Sequence, residues 1–321
     1  MSTIWPPVGA RGTTEARLGA RRPSGPMAEP QPLSQAPWAY PTLAPPLGSS
    51  TYYSIRFSPP ERRDDLARLA AWRHQVRAIL EEVRDPGVAR LKLQWWRDEA
   101  RRLVDGVPSH PLNRALQPLI ARAGLPIDPL LELADAVEDA ILGREPGDAS
   151  ALEAACDVDL GGHFELLARV QGRQDPPDLA AARCLGTFCA LVYRIRDSGW
   201  LARQGRAPIP LTRLRAAGLN PDRLRLAEHR ARLPEWLPEL ARQARALLAR
   251  PLNFAGLPAG LRLRARILAS LLNELEALSF QVAEQRLCLT PRCKLWLAWR
   301  ESRRSVRPGA TGPLPWAKPG S

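Results

Sequence analysis

The stretch CLGTFCALVYRIRDSGWLARQGRAPIP (184–210) predicts both a core helix and a candidate site. Apolar side chains recur in its first half at the spacing of one helix face: Leu185, Phe188, Val192 and Ile195. Arg196 and Asp197 follow in the same helix, and Pro208 and Pro210 forbid its continuation. Two interpretations remain open: a site for an anion or a metal–diphosphate group, or a structural ion pair between the two side chains.

The rest of the chain is typical of one all-α domain. Hydrophobic residues make up 45% of the 321 residues, with much Leu and Ala and few β-branched runs. Pro or Gly lies in each gap between helical patterns, and no long alternating pattern predicts a strand. Nine helices are predicted: 58–82, 88–104, 110–123, 128–142, 148–171, 178–198, 221–250, 258–286 and 291–304. We expect a disordered Pro/Arg-rich leader at 1–48, a helical domain at 49–305 and a disordered tail at 306–321.

The charge balance suggests an acidic partner. There are 46 Lys and Arg against 33 Asp and Glu, a formal net charge of +13. A diphosphate, an anionic lipid surface or a nucleic acid would each fit this charge. No nucleic-acid-binding module is recognisable, so no nucleic-acid partner is expected.

Five cysteines without a C-x-x-C pair predict free thiols in a reducing compartment, hence a cytoplasmic protein. No apolar run is long enough to span a membrane.

The segment PRCKLWLAWRESRR (291–304) combines tryptophans with basic residues. This composition is typical of a helix that lies on an anionic membrane surface, which would place the protein peripherally at the inner membrane face. The alternative is a last helix that packs its tryptophans on the domain and exposes its arginines.

Two adjacent tryptophans, Trp95 and Trp96, lie in the helix predicted at 88–104. They must point to different sides of that helix, and we expect Trp95 to be the core residue.

Three segments resemble the squalene/phytoene synthase family: SSTYYSIRFSPPERR (49–63), KLQWWRDEARRLVDGVPSHPLNRAL (92–116) and YRIRDSGWLARQGRAPIP (193–210). The tail at 291–304 is similar to the ending of bacterial members. The resemblance implies a single-domain isoprenoid synthase fold, a helical bundle around a central cavity. It also implies head-to-head joining of two prenyl diphosphates, with Mg²⁺ held by two aspartate-rich motifs.

The first of these motifs is lost. In the corresponding run LAAWRHQVRAIL (69–80), the three aspartate positions hold Val76, Arg77 and Leu80, while the preceding Arg73 is kept. An arginine at such a position could contact a phosphate directly.

The second motif is kept in part. Arg196 and Asp197 remain, as does Gly205–Arg206, but Leu201 replaces the second aspartate. Four of the five carboxylates implied by the family pattern are therefore absent, which should remove most affinity for a divalent metal.

The expected contacts with substrate are carried by Tyr53, Arg73, Arg196 and Arg206, and by Arg77 at the former aspartate position. The resemblance leaves Asp197 as the one candidate metal ligand. A relocated metal site on Asp135 and Asp139 is an alternative, because residues four apart share a helix face. The ordinary interpretation is that those two carboxylates belong to a solvated acidic helix face.

We therefore expect a catalytically degenerate member that binds a prenyl diphosphate or a related isoprenoid or lipid phosphate, or that acts as an assembly factor. A family branch that includes a mitochondrial complex I assembly factor shows the same kind of motif loss. The alternative is an active head-to-head prenyltransferase with an altered Mg²⁺ site. A degenerate member is expected to need no cofactor. An active prenyltransferase would use Mg²⁺.

Overall fold

The chain folds into a bundle of α-helices, described by a computed structural model at residues 40, 42–43, 45–303, 314 and 316. No strand occurs in that part of the chain. The helices are α1 (Ser50–Arg56), α2 (Arg63–Glu82), α3 (Pro86–Asp105), α4 (Pro111–Ala123), α5 (Asp128–Ile141), α6 (Ala149–Cys156), α7 (Gly162–Val170), α8 (Pro176–Arg196), α9 (Ser198–Arg203), α10 (Leu211–Ala216), α11 (Ala227–Arg230), α12 (Leu233–Leu248), α13 (Ala259–Ala277) and α14 (Pro291–Ser302). The all-α prediction is confirmed.

Helix α8 lies at the centre and packs against α6, α7, α12 and α13. Its apolar side chains are buried on all sides, as expected for a helix surrounded by others. Gly186 allows the closest approach, because a Cβ there would lie 2.4 Å from the carbonyl oxygen of Leu160. This contact seats α8 against the segment that joins α6 to α7.

The predicted helix at 148–171 is interrupted. A single π-helical turn, Asp157–Gly161, separates α6 from α7. Such a turn adds a residue to the helical repeat and changes which side chains face inward, and π-turns are frequent at functional sites. Here it directs the Asp159 side chain towards α2.

Two other predicted helices are shorter than expected. The helix predicted at 258–286 ends at Ala277, because Ser279 and Phe280 take left-handed backbone angles with φ of 48° and 55°. The helix predicted at 221–250 is divided into a 3₁₀ turn, the short α11 and α12. The segment after α13 thus becomes a loop that returns along α9.

Parts of the predicted leader and tail contribute to the core. Leu43, Leu314 and Trp316 are buried, and the backbone N–H of Tyr40 donates to Asp64 at 2.9 Å. Most of residues 1–48 and 306–321 lie outside the described residues, so the disorder expected there stays a prediction.

None of the described helices has the length and hydrophobicity needed to cross a membrane.

Candidate anion-binding site

Two arginines of α2 converge on one carboxylate. Arg73 Nη2 and Arg77 Nη1 each lie 2.6 Å from Asp159 Oδ1, and Arg73 Nε also donates to the Asp159 carbonyl oxygen at 3.1 Å. They share a helix face because they are four residues apart in α2. Asp159 comes from the π-helical turn, so the pair depends on that local irregularity.

The charges of this cluster shift the pKa values of its members. Burial acts to raise the pKa of Asp159, but Arg73 and Arg77 outweigh it and lower it to about 2. Burial lowers the pKa of Arg73 to about 10 despite the neighbouring carboxylate. Asp159 is the main cause that raises the pKa of Arg77. All three groups are therefore charged at neutral pH.

A second carboxylate, Asp197 at the end of α8, is also shared by two arginines. Arg196 binds both of its oxygens at 2.7 Å, and Arg286 from the loop after α13 donates to Oδ1 at 2.5 Å. The Arg196 guanidinium lies 4.6 Å from the centre of the Tyr193 ring. Arg286 is half exposed, so this cluster opens towards solvent.

A third carboxylate repeats the arrangement. Glu145, in the loop between α5 and α6, lies 3.4 Å from Arg194 and 3.2 Å from Arg206. Arg194 also donates to the carbonyl oxygen of Pro208, which ties the end of α8 to the loop after α9.

These three clusters act on one another electrostatically. Besides Asp159, the Asp197 carboxylate helps to raise the pKa of Arg77. Burial lowers the pKa of Arg206, and the positive charges of Arg194 and Arg77 lower it further. We call the whole set the arginine cluster: Arg73, Arg77, Arg194, Arg196, Arg206 and Arg286 with Asp159, Asp197 and Glu145. Six arginines against three carboxylates leave a net charge of +3.

The cluster continues inward to Arg264 of α13, whose guanidinium lies 5.4 Å from the Phe164 ring centre and 5.7 Å from that of Tyr193. Beside it, His163 is buried, and burial holds its pKa well below the usual value. Arg73 and Arg264 lower the pKa of His163 further. The imidazole is therefore neutral and adds no charge of its own at neutral pH.

The residues present do not fit a magnesium site. Among the described residues, no group of three or more metal-ligating side chains comes together. Mg²⁺ prefers several carboxylate, phosphate or water oxygens, and Asp197 is held instead by two guanidinium groups. A divalent cation at Asp197 would be repelled by both.

The structure brings most of the predicted site residues together, but not all. Arg73, Arg77, Arg196, Arg206 and Asp197 belong to the arginine cluster. Tyr53 does not: it is buried between α1 and α14, where its hydroxyl donates to the Pro291 carbonyl oxygen at 3.0 Å.

The former aspartate positions and the alternative metal site have structural explanations. Val76 and Leu201, at former aspartate positions of the family pattern, are buried. Asp135 and Asp139 are paired with Arg97 and Arg144, so neither carboxylate is free for a shared metal.

Sequence reasoning missed the residues that organise the cluster. Asp159, Glu145, Arg194 and Arg286 were not predicted as site residues. Asp157 and Asp159 do stand out as carboxylates among the apolar residues and glycines of 154–162. That signal could have identified Asp159, whereas the role of Arg286 depends on where α13 ends.

A pocket between α1, α2, α7 and α13, lined in part by Ser54, His163 and Gly260, has a volume of about 10 Å³. That is close to the space of one water molecule. A long apolar chain could enter here only if these helices moved apart.

The fold is that of the isoprenoid synthases. A dehydrosqualene synthase solved with a ligand is similar over 78% of this chain and 90% of its own, with a TM-score of 0.65 and 17% identity. The squalene synthase HpnC from Alicyclobacillus acidocaldarius is similar over 71% of this chain and 88% of its own, with a TM-score of 0.56 and 20% identity. At these identities the likeness establishes the fold alone.

The family follows from the sequence. The squalene/phytoene synthase family model matches residues 45–293, and the chain belongs to that family. A presqualene diphosphate synthase from Sinorhizobium fredii (strain NBRC 101917 / NGR234) is 31% identical over 177 residues, 54% of this chain. The match spans 62% of the length of that relative.

Proposed function

We propose that the arginine cluster binds the diphosphate of a prenyl diphosphate, or a related isoprenoid or lipid phosphate, without magnesium. The observation that carries this proposal is the sharing of each carboxylate by two arginines, which leaves three positive charges uncompensated. Guanidinium groups bind phosphate oxygens with strong, paired hydrogen bonds. The charge that family members obtain from metal ions is here supplied by side chains.

The same observation argues against catalysis. Ionising an allylic diphosphate requires that the negative charge developing on the leaving group be neutralised, which divalent metal ions do well. The carboxylates that would hold those ions are replaced or engaged with arginine. We therefore propose that the protein acts by binding its ligand, or as an assembly factor that uses this fold.

Calorimetric titration with inorganic diphosphate in the presence of EDTA tests this proposal. The wild-type protein should bind, and Arg77→Gln should weaken binding at least about 10-fold, because a hydrogen bond between charged groups contributes roughly 1.5–3 kcal/mol. Arg90→Gln is the matched control, since Arg90 forms a similar pair with Glu138 on the surface of α3. Binding that requires added Mg²⁺ would refute the proposal.

An active head-to-head prenyltransferase is the second candidate. It is favoured by the likeness to a presqualene diphosphate synthase and by the retention of Arg73, Arg196 and Asp197. Incubation with farnesyl diphosphate and Mg²⁺ separates the two candidates. Release of inorganic diphosphate at a rate that depends on Asp197 would support the transferase.

We further propose that α14 contacts an anionic membrane surface. Apart from Ser302, the exposed residues of α14 and of the position that follows it are apolar or basic: Pro291, Arg292, Leu295, Trp296, Trp299, Arg300 and Arg303. The only acidic residue of α14, Glu301, is buried 3.4 Å from Arg262 and does not reduce the positive charge of this face. Such a helix should bind phosphatidylglycerol vesicles in a salt-dependent manner, and this would place the protein peripherally at the inner membrane face.

A further inference from the structure

A groove of about 500 Å³ opens between α1 and the first turn of α14. Its lining is mainly apolar and includes one cation: Leu47, Tyr52, Phe57, Pro291, Leu295 and Arg56. Pockets that take small ligands have volumes of roughly 300–1,000 Å³. The groove is therefore large enough for part of a hydrocarbon chain.

Two hydrogen bonds fix the residues that line the groove. The Tyr53 hydroxyl donates to the Pro291 carbonyl oxygen, and Lys294 Nζ donates to the Gly48 carbonyl oxygen at 2.9 Å. Tyr53 also packs against Leu263 and Leu297 in a small hydrophobic cluster of its own. The groove is thus held open by contacts of α1 and α14 rather than by the main core.

The groove is continuous with the outward face of α14. Leu295 belongs to both, and it is 49% exposed, while Leu47 at the opposite edge is 80% exposed. Exposed apolar side chains of this kind, next to a basic helix face, are typical of a surface that meets lipid. Arg56 lies at the groove edge, where no described carboxylate forms an ion pair with it.

We propose that this groove binds one acyl chain of an anionic phospholipid, with Arg56 holding the lipid phosphate. This inference rests on the proposed contact of α14 with an anionic membrane and names the lipid site within that contact. Charge complementarity favours an anionic lipid, since the groove edge and the α14 face carry arginine and lysine. A chain in the groove would anchor the protein more firmly than surface adsorption, because burial of its apolar surface adds to the electrostatic attraction.

Vesicle sedimentation tests the proposal with two matched variants. On phosphatidylglycerol vesicles, Leu47→Asp should weaken binding at least 10-fold, whereas Leu91→Asp should leave it unchanged. Leu91 is a fair control because it is 73% exposed and lies on α3. Arg56→Gln should weaken binding to these vesicles and not to vesicles of phosphatidylcholine. Equal loss in both leucine variants would overturn the groove assignment.

A photoreactive group on the acyl chain of phosphatidylglycerol locates the chain directly. Labelling at Tyr52 and Leu295 is expected. Labelling confined to Trp296 and Trp299, with vesicle binding intact, would overturn the groove and leave the membrane contact of α14 in place. Absence of vesicle binding would overturn the membrane contact and the groove together, without affecting diphosphate binding by the arginine cluster.

Discussion

Replacing Glu99 by glutamine should destabilise the fold by about 3 kcal/mol at neutral pH, although the change is nearly isosteric and Glu99 does not belong to the arginine cluster. Glu99 lies in α3 and is fully buried. Its carboxylate accepts hydrogen bonds from the Ser109 hydroxyl, from the backbone N–H of Ser109 and of His110, from Asn113 Nδ2 and from Arg102 Nη1. A glutamine amide would turn an NH₂ group towards several of these donors, which leaves buried donors without an acceptor.

The magnitude follows from the pKa of Glu99. Burial acts to raise it, but the hydrogen bond from Ser109 and those from His110 and Arg102 lower it from 4.5 to about 2. Each tenfold change in proton affinity corresponds to about 1.4 kcal/mol, so the ionised form contributes roughly 3 kcal/mol. Because the folded pKa is depressed, this stability is present above pH 4.5 and is lost as the pH falls towards 2. At pH 3, roughly 2 kcal/mol of it should be gone.

Urea unfolding of the wild type and Glu99→Gln between pH 7 and pH 3 measures this effect. The difference should be about 3 kcal/mol at pH 7, roughly 6–12 °C in Tm, and should shrink to about 1–2 kcal/mol at pH 3. Asp98→Asn is the matched control, because Asp98 is half exposed and pairs with Arg101 on the surface. It should cost less than about 1 kcal/mol. A pH-independent difference, or equal effects at 98 and 99, would refute the reasoning.

Two further predictions concern the centre of the bundle. Asp159→Asn should strengthen the binding of inorganic diphosphate several-fold, because it removes the negative charge that engages Arg73 and Arg77. Calorimetry in the presence of EDTA measures this change. Unchanged or weaker binding would mean that Asp159 does not compete with the anion. Gly186→Ala should lower the free energy of unfolding by roughly 1–3 kcal/mol, because the added Cβ would lie 2.4 Å from a backbone oxygen. Gly147→Ala is the control and should be nearly neutral, because Gly147 has open space around it.

Hydrophobic periodicity was sufficient to predict an all-α domain because most of the bundle consists of helices with one buried face. The isoprenoid synthase fold was expected from the resemblance to the family. Residues 184–196 form the second half of the central helix α8, and the Arg196–Asp197 pair lies at the helix end as expected. The tryptophan assignment was wrong: Trp96 is buried, and Trp95 is 41% exposed. Adjacent residues differ by about 100° around a helix, and only the position of α2, whose Trp72 ring meets Trp96, decides which one faces inward.

The organisation of the site could not be predicted from the sequence for a similar reason. Arg73, Arg77 and Arg196 were identifiable from their places in the family pattern, but Asp159 reaches them only because a π-helical turn rotates it inward. Arg286 reaches Asp197 because α13 ends nine residues before it, at Ala277. Both contacts depend on departures from regular helix, and the hydrophobic pattern carries little signal for such departures.

A site whose positive charge comes from arginine side chains responds differently to its surroundings from one that holds magnesium. A magnesium-loaded site takes its charge from the medium and loses it to a chelator. Guanidinium charge is part of the polypeptide, and with Asp159 titrating near 2 and Arg73 near 10, the Asp159 cluster keeps the same ionisation across the physiological pH range. Attraction for an anion here would persist under magnesium starvation or mild acidification.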